Sequence, residues 1–264
     1  MDLGLNGKCA VVTGASRGIG FAVAEVLAAE GAGLVLVARD TEALAVAVER
    51  LGRHGTKVVA VPTDTTDDAD VAAMAERVRT EFGAADILVN CAAPASSGVR
   101  TPLEDLRDED LRAEIETKVL GYLRCARVLA PGMRERGWGR IVNVSGLNAR
   151  LAGATFGSIR NVAVAAMTKN LADELGPHGI TVTVVHPGYT VTERTPERFA
   201  AIAAERGISV PELENSLASG VSIGRLVTAA EVADVVAFLA SPRSVAINGD
   251  AIAAGGGTPG PIYY

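Results

Sequence analysis

The sequence predicts an α/β protein built on a parallel sheet, and three observations carry that prediction. Short continuous apolar runs alternate along the chain with stretches whose apolar residues recur at helical spacing. The runs lack the polar alternation of a strand with one wet face, so they read as strands covered on both sides. The first run leads through Thr13 into the glycine-rich turn Gly14-Ala15-Ser16-Arg17-Gly18-Ile19-Gly20, which opens a helix. Strands separated by helices fold into a doubly wound parallel sheet with helices on both faces. Residues 1–264 read as a single domain, with ligand expected at the carboxyl ends of the strands.

Each element follows from its residues. Lys8-Cys9-Ala10-Val11-Val12-Thr13 is the first strand. In the turn, Gly14 allows a sharp reversal, Gly18 allows a phosphate to approach the backbone, and Gly20 allows the helix to pack against the strand. The following helix carries Ile19, Val23, Val26 and Leu27, and its first amides offer partial positive charge to an anion. Leu34 to Ala38 is the second strand, ended by Arg39-Asp40-Thr41; Leu44, Val48 and Leu51 mark the second helix. Lys57 to Val61 is the third strand, and Asp67 caps a helix with Val71, Met74 and Val78. Asp86 to Asn90 is the fourth strand. A small-residue loop, Ala92 to Pro102, precedes a long helix from about Asp108 towards Leu129.

Arg140 to Val144 is the fifth strand, Val162 to Leu175 an alanine-rich helix, and Thr181 to Val185 the sixth strand. Residues 190–225 have weak periodicity and read as a mobile lid. Its Phe199, Ile202, Ile208 and Leu213 suggest an apolar pocket wall. Thr228-x-x-Glu231 is a capping box that opens a helix with Val232, Val235, Val236 and Leu239. A short strand over Ala251 to Ala253 precedes a glycine-rich end.

Composition narrows the function classes. A net charge of −6 with no basic run argues against a nucleic-acid or anionic-membrane partner. No apolar stretch is long enough for a membrane span, and the amino terminus has no signal-peptide pattern. Cys9, Cys91 and Cys125 form no metal-binding spacing and fit reduced thiols in a cytoplasmic protein. No paired-carboxylate or metal-ligand constellation stands out.

These motifs together resemble the short-chain dehydrogenase/reductase family, over nearly the whole chain. Thr13-Gly14-Ala15-Ser16-Arg17-Gly18-Ile19-Gly20 resembles the family's T-G-x-x-x-G-x-G. Asp64-Thr65 is similar to its adenine-contacting pair, and Asn90-Cys91-Ala92-Ala93 to N-N-A-G with two changes. Gly139 to Ser145 resembles its fifth strand. Pro187-Gly188 with Thr192 resembles P-G-x-x-x-T, the segment along the nicotinamide, and Thr190 within it is a further cofactor candidate. The resemblance implies a Rossmann-like sheet of about seven strands, a bound dinucleotide and a homotetramer or homodimer. Arg17 in the turn and Arg39 after the second strand suit the 2′-phosphate of NADP(H), because guanidinium groups make charge-assisted hydrogen bonds to phosphate. Asp40 keeps NAD(H) open.

The family's catalytic positions do not match. Its pattern is an Asn on the fourth helix, a Ser after the fifth strand, then Y-x-x-x-K. Counting back from Thr168 to Leu175 places Gly157 at the Tyr and Asn161 at the Lys. The Ser position falls on Gly146 with Ser145 beside it, and the Asn position on Lys118. Gly157 has no proton to give, and Asn161 carries no charge to depress a phenol pKa. Lys118, as acid or electrostatic stabiliser, Ser145, Asn161 and Tyr189 are the stand-in candidates. Arg160 is a candidate for holding an anionic substrate or leaving group, and His186 reads as a packed strand-end residue. The leading expectation is an NADP(H)-dependent oxidoreductase with an atypical catalytic set, acting on a carbonyl or secondary alcohol of a small apolar or carbonyl-containing substrate. Two alternatives stay open: a non-redox dinucleotide-binding regulatory or scaffold subunit, and a lyase or isomerase on the same fold.

Overall fold

The computed structural model describes residues 2–93, 101–260 and 262. The chain runs β1 (Cys9–Thr13), α1 (Gly18–Ala29), β2 (Gly33–Ala38), α2 (Thr41–Leu51), β3 (Val58–Pro62), α3 (Asp68–Phe82) and β4 (Ile87–Asn90). It continues through α4 (Asp108–Glu114), a π-helical segment (Ile115–Leu120), α5 (Gly121–Glu135), β5 (Gly139–Val144), α6 (Thr155–Leu175) and β6 (Ile180–Pro187). Then come β7 (Thr190–Val191), α7 (Thr195–Arg206), α8 (Val210–Ser219), β8 (Val227–Thr228), α9 (Ala229–Ala240) and β9 (Ala251–Ala254).

Among the described residues the main sheet has seven strands, all parallel, in the order β3-β2-β1-β4-β5-β6-β9. The two-faced apolar runs explain why. Alternate residues of each strand feed opposite layers. Val12, Leu36, Val89 and Val142 pack under α1, α2 and α9, against Leu27, Leu44 and Val236. Val11, Val37, Leu88, Ile141 and Val182 pack under α3, α5 and α6, against Met74, Leu129 and Leu175. The strand order reverses between β1 and β4. There the carboxyl ends part and leave the crevice in which such sheets bind ligands. Thr13 Oγ1 accepts the amides of Cys91 and Ala92, at 3.0 and 3.1 Å, and joins the two strand ends at that crevice.

Asp67 caps α3, accepting from the amides of Ala69 and Asp70. Thr228 and Glu231 form the expected capping box of α9. Other expectations need correction. The helix expected from Asp108 towards Leu129 is two α-helices around a π-helical turn, and the second reaches Glu135. α6 starts at Thr155, not Val162. Ala154 offers no side-chain cap, so the first two turns carry no local start signal and depend on burial of Gly157, Arg160, Asn161 and Val164. β6 extends through His186 and Pro187, which pair with Ala253 and Ala254. Residues 190–225, read as aperiodic, hold α7 and α8. Their apolar faces meet through Phe199, Ala203 and Leu213, and Ser209 with Glu212 caps α8. Most of the small-residue loop, residues 94–100, lies outside the described residues.

Candidate functional site

The glycine turn has the geometry its residues require. Gly14 and Gly18 take φ of +65° and +58°, which side chains disfavour. A Cβ on Gly14 would lie 3.0 Å from the Ala92 amide nitrogen, across the crevice. A Cβ on Gly20 would lie 2.3 Å from the Gly14 carbonyl oxygen, so this helix can approach its strand only through glycine. The Ala15 amide donates to Val37 O at the end of β2. Ser16 and Ile19 are half-buried in the turn and Arg17 is exposed.

The first turn of α1 contains no acid. A carboxylate reaches it from far along the chain: Glu193 accepts from the Gly18 amide, at 3.0 Å to Oε1 and 3.3 Å to Oε2. The opening of α1 therefore holds an anion, as its unpaired amides favour. Thr192 arrives with Glu193; its methyl group is 3.8 Å from a Cβ position on Gly18. Thr192 is fixed by its own amide donating to Thr195 Oγ1 at 2.8 Å, and Thr190 donates to Gly188 O. Gly188 abuts Gly255, 3.1 Å from its Cβ position to the Gly255 Cα, and Pro187 is buried in β6. The fold thus brings residues 187–193 to the glycine turn.

At the outer end of the crevice Arg17 pairs with Asp40 at 3.5 Å, both side chains about half exposed (52% and 48%). Asp40 also caps α2 by accepting from Ala43. Arg39 is exposed beside Asp64. The Asp64 carboxylate accepts from the amide and hydroxyl of Thr66, and these bonds, followed by the charge of Arg39, hold its pKa below the usual carboxylate range. Thr65 is buried with its hydroxyl against Gly121, so its side chain faces α5. Asn90 is buried beneath the crevice; its Nδ2 donates to Asn143, whose own Nδ2 donates to Thr168.

The inner end contains the stand-in residues. Lys118, in the π-helical turn, is 4% exposed, and its Nζ donates to Ser145 O at 2.9 Å. Ser145 Oγ donates to Asn161 Oδ1 at 3.1 Å. Three of the four catalytic candidates therefore form one cluster. Gly146 lies against Asn161: a Cβ there would come within 2.9 Å of its Nδ2, so a side chain would have to displace the Asn161 amide. Burial, aided by the positive charge of Arg160, brings the Lys118 pKa down from its usual value to about 7. A solvated helix lysine would show neither feature.

The other residues fall elsewhere. Tyr189 packs its ring on Phe199 of α7, 5.9 Å between centroids, and the Arg198 guanidinium lies 5.5 Å from the Tyr189 ring centroid. Arg160 is not open to a substrate anion: it is buried and its Nη1 lies 3.2 Å from Glu114 Oε1. His186 is a buried strand-end residue, as expected, but its Nδ1 has no hydrogen-bond partner. Burial, then Arg150 and Lys118, pull its pKa down to about 4. Glu193 and Glu114 escaped the sequence reading. Their signals were adjacency to Thr192 and a spacing of four residues before Lys118.

The model of a family described as enoyl-(acyl carrier protein) reductase matches residues 14–258. A short-chain reductase protein, NovJ, of Streptomyces niveus is 34% identical over 251 residues, covering 95% of this chain and 93% of its own. The 3-oxoacyl-[acyl-carrier-protein] reductase FabG of Escherichia coli is 34% identical over 263 residues, covering 97% and 98%. Among solved structures, L-sorbose reductase from Gluconobacter frateurii, complexed with NADPH and L-sorbose, superposes with a TM-score of 0.93 at 34% identity, covering 99% of this chain and 100% of that one. An actinorhodin polyketide ketoreductase with NADPH gives 0.87 at 30% identity, covering 94% and 96%.

Proposed function

The chain belongs to the short-chain dehydrogenase/reductase family, and from that premise we propose that it is an NADP(H)-dependent oxidoreductase acting on a carbonyl group or secondary alcohol. One observation carries the reading: Lys118 is buried at the end of β5, tied to Ser145, with a pKa near neutrality. Support for the cofactor comes from the glycine turn, from the anion already held by the Gly18 amide, and from NADPH in the similar structures. Gly14, Ser16, Gly18, Ile19 and Gly20 would hold the pyrophosphate, and Arg17 and Arg39 the 2′-phosphate. Asp64, Thr65, Asn90 and Ala92 would border the adenosine side of the crevice. Asn161, Pro187, Gly188, Thr190 and Thr192 would border the nicotinamide side.

When bound, the nicotinamide supplies or accepts the hydride. The chain must then move a proton, the task that Gly157 cannot perform. Lys118 has three N–H donors, and Ser145 O takes one of them. A second can protonate an oxygen that becomes an alkoxide, and in the reverse direction the neutral amine takes the proton back. A pKa of about 7 suits both directions near neutral pH. Asn161 takes the Ser145 hydroxyl proton, which leaves Ser145 Oγ to orient a substrate by accepting from its hydroxyl in the alcohol direction. Phe199 and Leu213, expected in an apolar pocket wall, are instead buried between α7 and α8 and offer no surface to a substrate. The accompanying assembly is a homodimer or homotetramer, for which Ile159 and Val162 on α6 leave apolar surface exposed.

Titration with NADPH, followed by a panel of ketones and secondary alcohols monitored by nicotinamide absorbance, tests the reading. Binding with turnover supports it. No binding at millimolar NADPH overturns it, and binding without turnover across the panel supports the non-redox alternative.

A further inference from the structure

We propose that Arg160 and Glu114 are a positioning pair for Lys118: opposite charges on two helices that act on its ammonium group with opposite sign and poise it to give up a proton. The inference rests on Lys118 as the proton carrier.

Glu114 ends α4, four residues before Lys118, and Arg160 on α6 directly precedes Asn161. Their side chains meet at 3.2 Å, with the Arg160 side chain 5% exposed. The contact is ionic and leaves hydrogen-bonding capacity unused: Arg160 Nε and Nη1 and Glu114 Oε2 are buried without a hydrogen-bond partner.

Among the described residues, four ionisable groups act on Lys118 or are acted on by it. Arg160 stands on α6, Glu114 on the preceding turn, Cys91 after β4 and His186 on β6. Two of them are neutral at pH 7. Burial pushes the Cys91 thiol up to about 12 and His186 down to about 4. Arg160 and Glu114 remain as the charged neighbours. Burial acts most strongly and disfavours the ammonium form; Arg160 adds to it, and Glu114 opposes it. With Arg160 alone, a buried lysine would stay neutral and have no proton to donate. With Glu114 and no Arg160, the ammonium form would be held more firmly against burial and release its proton less readily. The two together leave both forms of Lys118 accessible.

The test compares the parent with Glu114→Gln, Arg160→Met and Arg160→Lys in two readouts. One is the Lys118 titration, followed by NMR in protein labelled with 15N-lysine and assigned with Lys118→Met, without cofactor. The other is the pH profile of carbonyl reduction, which falls on the alkaline side as Lys118 loses its proton. Glu114→Gln is expected to lower the Lys118 pKa and the alkaline limb by about one pH unit, and Arg160→Met to raise both by a similar amount. Arg160→Lys, which keeps the charge, leaves the limb in place. Glu114→Gln is nearly isosteric and carries the test if Arg160→Met does not fold. Shifts in the same direction, or no shift, overturn the proposal. Opposite shifts of the resonance in a protein without turnover uphold the action of the pair on Lys118 and count against the oxidoreductase reading.

Discussion

Glu193 seats its carboxylate on the amide of Gly18, the nitrogen that opens α1, although 175 residues separate the two in sequence. A dinucleotide pyrophosphate and this carboxylate compete for the same helix terminus. Glu193→Gln is therefore expected to bind NADPH about two- to five-fold more tightly, the gain for removing a competing charge at a helix end. Adenosine 2′,5′-bisphosphate, which has no pyrophosphate, should bind parent and variant equally. Weaker NADPH binding by the variant would mean that the carboxylate holds the lid in the binding pose.

Arg17 and Arg39 should decide between cofactors. Replacing both with Ala is expected to weaken NADPH about ten-fold and to leave NADH nearly unchanged, because charge-assisted bonds to the 2′-phosphate are lost. Paired dissociation constants measure this. An equal loss for both cofactors would assign the arginines to the shared part of the molecule.

Lys118→Met should separate catalysis from stability. Turnover is expected to fall at least about 100-fold for loss of the proton donor. Removing a buried amine held near pKa 7 should also raise the melting temperature by about 3–8 °C. Retained turnover would remove Lys118 from the chemistry.

His186 gives stability a pH dependence. Its pKa is about 4 when folded and about 6.5 when unfolded, so between these values only the unfolded chain takes up the proton. Stability is full above pH 6.5 and falls as pH drops towards 4, by about 2–3 kcal/mol from this residue. Urea unfolding at pH 7.5, 5.5 and 4 should show a smaller acid loss in His186→Gln than in the parent. Identical losses would mean that His186 titrates normally.

Some of this molecule is legible in local sequence because the relevant physics is local. The glycine spacing of the first turn reports backbone conformation and close approach, and the φ of Gly14 and Gly18 and the clash at Gly20 follow from it. Asp67 and the pair Thr228 and Glu231 mark their helix starts for the same reason. The start of α6 has no cap, and its first turns depend on partners elsewhere in the chain. The lid helices were hidden because each presents only a short apolar face to the other.

The sequence by itself determined the alternating parallel sheet, the glycine-rich turn and the lack of any tyrosine between Tyr122 and Tyr189, since each depends on residue type, periodicity or spacing. The tertiary structure alone decided that Lys118 is buried against Ser145, that Arg160 belongs to Glu114, and that Glu193 closes on Gly18. The charge and reach of a long side chain are written in its identity. Its environment is set by residues that the fold brings together, and the environment fixes its pKa and its partner.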